Sequence, residues 1–215
     1  MLAIKIAIGI AIGTVCIFAG MWLKKILLNK RNLDVYASKF EVIVTSVFTI
    51  IAGIAVMIRY QAPAEIAYTY LILIICILVA VIDLHHRIIP NELPLAMLII
   101  KLGIGIPELL NFKNFETFNV KSSLIGFAVG FVIFAIPAVF GKAVGAGDIK
   151  LAAAIGFCLG VEGLLYSVVL MGGGVLLFAI AQKNKSLRTM IYEMIPMGPF
   201  MAISMIVVMI LPSIF

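Results

Sequence analysis

The chain has 215 residues, of which 64% are hydrophobic and 12% charged, with a mean hydropathy of +1.25 and a formal net charge of +6. A soluble domain of this length cannot cover so much apolar surface, so composition excludes that class and implies an integral membrane protein. The positive charge does not point to a nucleic-acid partner, because no stretch joins basic and aromatic residues on one surface; membrane topology accounts for it better.

A helix that spans a bilayer needs about 20 mostly apolar residues. Apolar runs bounded by charge or proline recur near residues 4–23, 41–58, 66–82, 93–110, 123–140, 149–162, 164–181 and 195–213. The expected fold is all-α, a polytopic membrane helical bundle of about eight transmembrane spans with short loops. The first run follows a single basic residue, Lys5, and lacks a small-x-small cleavage pattern, so it is expected to be a retained span. Cys16, Cys76 and Cys158 fall singly inside apolar runs, which suits small buried side chains and indicates neither a disulfide framework nor a metal site.

Lys101 sits inside the fourth run, where snorkelling to an interface and pairing with a carboxylate are both open. Glu92 favours the start of that run, as carboxylates do at helix N-termini. The sixth and seventh runs could form one helix over 149–181, but Gly160-Val161-Glu162-Gly163 places two glycines around a charge at its middle. Such breakers favour two short spans joined by a tight turn. The Gly172-Gly173-Gly174 triplet is expected to serve close helix packing. Pro196 and Pro199 suit the start of the last run.

Charge asymmetry tests the eight-span reading. On one side fall Lys24, Lys25, Lys30, Arg31, Lys39, Arg87, Lys142, Lys150, Lys183, Lys185 and Arg188; on the other fall Lys5, Arg59, Lys113 and Lys121. Eleven against four orients both termini outside and the basic loops in the cytoplasm. A single span through 149–181 would move Lys183, Lys185 and Arg188 across and leave eight against seven, so the bias favours the hairpin.

Two carboxylates stand out against this background. Asp83 ends the third run and Asp148 begins the sixth, within Gly145-Ala146-Gly147-Asp148-Ile149-Lys150. An acidic residue in such surroundings is costly and a functional candidate by default. Two spans lie between them, and an even number of crossings returns the chain to the same face, here the cytoplasmic boundary. Two carboxylates a few ångströms apart share a proton and titrate as a coupled pair. One can then act as base on a water and the other as acid toward a carbonyl oxygen, which is what amide hydrolysis needs without metal, cofactor or covalent nucleophile.

Gly145 and Gly147 permit backbone shapes closed to other residues, and their missing side chains would let an extended peptide approach Asp148. An isolated Gly-x-Gly-Asp string also fits a plain helix start with Asp148 as the cap. Lys150, two residues beyond Asp148, does not share its helix face; it is expected to snorkel toward lipid phosphates, with a supporting role in the site open. His85 and His86 are adjacent and would diverge on a helix, which suits polar residues near the headgroups better than ligands of one ion.

Asp83 followed by Arg87-Ile88-Ile89-Pro90-Asn91, together with Gly145 to Leu151, resembles the two signature motifs of the type IV prepilin peptidases, membrane aspartyl proteases of the Gly-x-Gly-Asp kind. Met197-Gly198-Pro199-Phe200 resembles a further family feature, and the likeness covers roughly residues 66–210. The resemblance implies one membrane peptidase domain over residues 1–215. It makes Asp83 and Asp148 the catalytic aspartates and a prepilin or pseudopilin leader the substrate, cut at the cytoplasmic face of the cell membrane.

Fuller members carry paired Cys-x-x-Cys motifs between their first two spans, associated with N-methylation of the product. The interval Lys24 to Phe40 contains no cysteine, so cleavage without methylation is expected. Two rival readings make different demands on the sequence. A presenilin-like protease would show a Tyr-Asp pair at Asp83 and a Pro-Ala-Leu string in the last spans, and neither is present. A transporter or channel using Asp83 and Asp148 as a proton relay would place its carboxylates near the bilayer midplane. The partners expected are the substrate and membrane lipids, without nucleic acid; no residue pattern specifies an oligomeric state.

Overall fold

The computed structural model describes residues 2–34, 38–109, 119–140, 144–181 and 196–211, with the side chains of 106–109 outside that description. The loops that carry Lys113, Lys142, Lys183, Lys185 and Arg188, and with them part of the charge count, lie outside the described residues. Seven helices and no strand are found among the described residues: α1 (Leu2–Lys30), α2 (Lys39–Arg59), α3 (Pro63–His86), α4 (Glu92–Leu109), α5 (Val120–Val139), α6 (Ala146–Ala181) and α7 (Gly198–Ile210). The all-α membrane architecture follows from the solvent: in lipid every backbone N–H and C=O must be satisfied within its own segment. Five of these helices, α1, α2, α3, α5 and α6, are long and apolar enough to cross a membrane.

The chain divides into two compact units, residues Met1–Leu78 and Val79–Phe215. In the first, α1 and α2 approach through glycine. A Cβ on Gly9 would lie 3.0 Å from the Ile54 Cα, and one on Gly53 would lie 3.2 Å from the Gly9 carbonyl oxygen. The Tyr70 hydroxyl donates to the Gly53 carbonyl at 2.8 Å. Lys24 and Glu41 form a largely buried ion pair at 2.9 Å, which neutralises two charges that would be costly alone.

In the second unit α5 and α6 pack backbone to backbone. A Cβ on Gly126 would collide with the Gly156 carbonyl, one on Gly156 with the Gly126 carbonyl, and one on Gly130 with the Ala152 carbonyl. Small residues four apart on both helices, Gly126 and Gly130 on α5 with Ala152, Gly156 and Gly160 on α6, make this approach possible. Of the triplet Gly172 to Gly174, one member takes part in close packing. Among the described residues Gly172 and Gly173 have nothing within 4 Å, whereas Gly174 meets the Phe200 ring at 3.1 Å.

The break expected in the middle of residues 149–181 is present. Gly160 has φ 74° and ψ −175°, outside the helical region, while the helix continues on either side. That combination is open essentially to glycine alone. In one straight helix Ala152 and Met171 would stand about 28 Å apart; instead both line one small cavity with Phe134, Ile155, Leu164, Ser167 and Met201. The chain therefore folds back at Gly160. Ser122, in the first turn of α5, supports the break by accepting the Val161 N–H at 3.2 Å.

Candidate active site

Three segments of the second unit converge. The first is the end of α3. Asp83 stands in its last turn, because the helix runs one turn beyond the predicted span and closes only at His86. Arg87 adopts a positive φ of 53°, and its N–H donates to the Asp83 carbonyl at 2.9 Å. A left-handed residue of this kind commonly ends a helix. Pro90 then precedes α4, which opens at Glu92, an acidic residue in its first turn as expected.

The second segment is the start of α6. The Asp148 N–H donates to the Gly145 carbonyl at 3.0 Å, and the Gly145 N–H donates back to Asp148 Oδ2 at 3.2 Å. Asp148 thus closes its own helix start reciprocally. The capping reading and the acidic-site reading meet in one side chain: Oδ2 serves the cap and Oδ1 is left for other partners.

The third segment is the start of α7. Asp83 is only 5% exposed, and its Oδ2 accepts the Gly198 N–H at 2.8 Å. A Cβ at Gly198 would stand 2.8 Å from both the Cβ and Oδ2 of Asp83, so no other residue fits without displacing the carboxylate.

Two contacts lock the motif segments together. A Cβ at Gly147 would lie 2.9 Å from the Ile89 Cβ, and Lys150 Nζ donates to Asn91 Oδ1 at 3.0 Å. Asp148, half-buried, lies within electrostatic reach of Asp83, and Arg87 also acts on Asp83. Five sequence candidates are thus gathered at one place. Two expectations change. Lys150 is tied to Asn91 instead of reaching lipid phosphates, because Asn91 offers a carbonyl oxygen at the right height. The bare face of Gly147 is filled by Ile89 instead of standing open to a peptide; Gly145, exposed, has its own bare face turned to the Asp148 carboxylate.

Gly198, Asn91 and Ile89 stand in the motif stretches, but their part in the site shows only in the structure. The signal for Gly198 is the Met197-Gly198-Pro199-Phe200 stretch itself: an apolar residue before glycine and proline offers no side-chain cap to a helix that starts there, and in the structure Met197 caps α7 without a side-chain hydrogen bond. His85 and His86 have ring centroids 6.4 Å apart and tilted planes, in keeping with their divergence on the helix.

The family model described as the type IV leader peptidase family matches residues 70–211. A Bacillus subtilis (strain 168) protein named "Prepilin leader peptidase/N-methyltransferase" is 35% identical over 107 residues, 49% of this chain and 40% of that protein. The match therefore spans well under half the length of that curated relative. No solved structure matches.

Proposed function

The chain belongs to the type IV leader peptidase family, with a match over residues 70–211, and from that premise we propose that it is an intramembrane aspartyl endopeptidase. It cleaves the leader of type IV prepilins or pseudopilins at the cytoplasmic face of the cell membrane. Asp83 and Asp148 form the catalytic pair, with Gly145, Gly147 and Lys150 in support.

The observation that carries this reading is the convergence of two aspartates from separate motif segments within electrostatic reach of each other. The Ile89 to Gly147 contact and the Lys150 to Asn91 hydrogen bond hold those segments together. In the proposed reaction the ionised carboxylate takes a proton from water as the water oxygen bonds to the scissile carbonyl carbon. The protonated carboxyl gives its proton to the carbonyl oxygen. The tetrahedral diol then collapses with rupture of the C–N bond: the first carboxyl, protonated by the water, gives that proton to the leaving amine, and the second, now ionised, takes a proton from a diol hydroxyl as the new carbonyl forms. No cofactor or metal enters these steps.

The eleven-to-four charge bias supports the cytoplasmic placement and the eight-span count. Asp83 in the last turn of α3 and Asp148 in the first turn of α6 stand at helix ends, which suits cleavage at a membrane boundary better than a relay at the midplane. The absence of cysteine between Lys24 and Phe40 supports cleavage without methylation.

Asp83→Asn and Asp148→Asn, made separately and incubated with a prepilin in detergent, should each lower cleavage by about 10²- to 10⁴-fold. Thermal melting checks that both remain folded. Wild-type cleavage by either variant refutes the assignment.

A further inference from the structure

Residues at the start of a helix present N–H groups with no partner inside it, and a polar N-cap side chain usually satisfies one. α7 lacks that provision. Its N-cap, Met197, makes no side-chain hydrogen bond, and Pro199 has no N–H to offer. The first bond within the helix runs from the Met201 N–H to the Met197 carbonyl at 3.0 Å. The Gly198 N–H is instead spent on Asp83 Oδ2, at 2.8 Å and buried.

We propose that Gly198 is a positioning residue for Asp83: its N–H fixes the rotation of the carboxylate, and Asp83 in return caps α7 from another helix. The proposal rests on the reading of Asp83 as a catalytic carboxylate. Rotation about the Cβ–Cγ bond of an aspartate is soft, so an unanchored carboxylate samples a wide arc. A charge-assisted bond in a water-poor setting is short and strong. It commits Oδ2 and leaves Oδ1, in a defined plane, for the reacting water or the shared proton. Glycine is required for a second reason, since a Cβ at position 198 would stand 3.0 Å from the Asp83 Cγ. Donor and clearance come from the same residue, 115 positions away in the chain.

Two variants separate these contributions. Gly198→Ala keeps the N–H and adds the obstructing carbon. An amide-to-ester replacement at position 198, made by cell-free translation with glycolic acid, deletes the N–H and adds no side-chain atom, so it reads the bond even where the alanine variant does not fold. Each is assayed in detergent with a prepilin, alongside Asp83→Asn and a control, Ser204→Ala. The control breaks the buried Ser167 to Ser204 hydrogen bond further along α7 and weakens the fold without touching Asp83.

The ester should lower kcat by about 10- to 100-fold while KM stays within about twofold, because the bond positions a reacting group and does not hold substrate. Ser204→Ala, with an equal or larger drop in melting temperature, should keep its kcat. An ester variant with wild-type kcat, in a series where Asp83→Asn is inactive, overturns the positioning role alone. Full activity of Asp83→Asn overturns the underlying reading as well. A loss of kcat in Ser204→Ala equal to that of the ester reduces Gly198 to a stability residue and also overturns the proposal.

Discussion

Gly147→Ala is the sharpest probe of how the two motif segments hold each other. The added Cβ would lie 2.9 Å from the Ile89 Cβ and 3.4 Å from the Ile89 carbonyl oxygen. Carbon atoms in ordinary contact stand about 3.5–4.0 Å apart, so Ile89 and Gly147 must separate by about 0.6–1.1 Å. Overpacking of this size costs about 1–3 kcal/mol, which for a chain of 215 residues lowers the melting temperature by about 2–4 °C per kcal/mol.

Activity should fall much further. A misplacement of about 1 Å at a reacting group costs about 10²-fold, and Asp148 follows Gly147 directly on the same helical turn. The assay is cleavage of a prepilin by purified protein in detergent, paired with thermal melting of the same samples. Because the conflict is with the Ile89 Cβ, Ile89→Ala should not restore activity to Gly147→Ala, whereas Ile89→Gly should restore part of it. Cleavage by Gly147→Ala within about threefold of wild type at unchanged melting temperature would refute the reasoning, since contact of this closeness cannot absorb a methyl group without movement.

Two further outcomes follow from the same geometry. Gly156→Ala drives a Cβ into the Gly126 carbonyl and should cost more than about 3 kcal/mol by prying α5 from α6, whereas Gly172→Ala, with nothing within 4 Å, should be neutral or stabilise by up to about 1 kcal/mol through helix propensity; melting temperatures in one detergent decide both. Lys150→Met and Asn91→Ala should each reduce cleavage by less than about tenfold, and the double variant should do no worse than the more damaging single one, because both remove the same 3.0 Å bond. Additive losses would show that the two residues act separately.

Much of the scaffold is legible in the sequence. Long apolar runs in a chain this hydrophobic have to be helices, so the elements differ from the predicted spans mainly at their ends. α1 runs on to Lys30 and α3 to His86, past the apolar residues, because helical hydrogen bonding does not stop where apolar side chains do. The fold-back at Gly160 was legible for a local reason: glycines around a charge interrupt a run that is otherwise continuous. The aspartates were legible because a carboxylate among apolar residues has to be accounted for.

Contacts between distant segments leave little trace in the sequence. Three glycines in a row place only one on a given helix face, here Gly174 against Phe200, whereas a face that meets a neighbouring helix along its length repeats every fourth residue, as Gly126 and Gly130 do. The bare face of Gly147 reads as open to a peptide in the sequence because Ile89, the neighbour that fills it, is far away in the chain. Lys150 reads as a lipid-facing residue in the sequence because the side chain it reaches, Asn91, is 59 residues distant.

What the amino-acid order determined on its own is what lipid demands of each segment singly: helix, approximate length, the place of the break, and the expense of an unpaired carboxylate. Which segments meet was decided only in three dimensions. The Gly198 N–H finds Asp83 and the Gly126 carbonyl finds Gly156 because packing brings together backbone groups that carry no side-chain signature. A backbone amide is the same at every position, so its partner can be known only once the helices have come together.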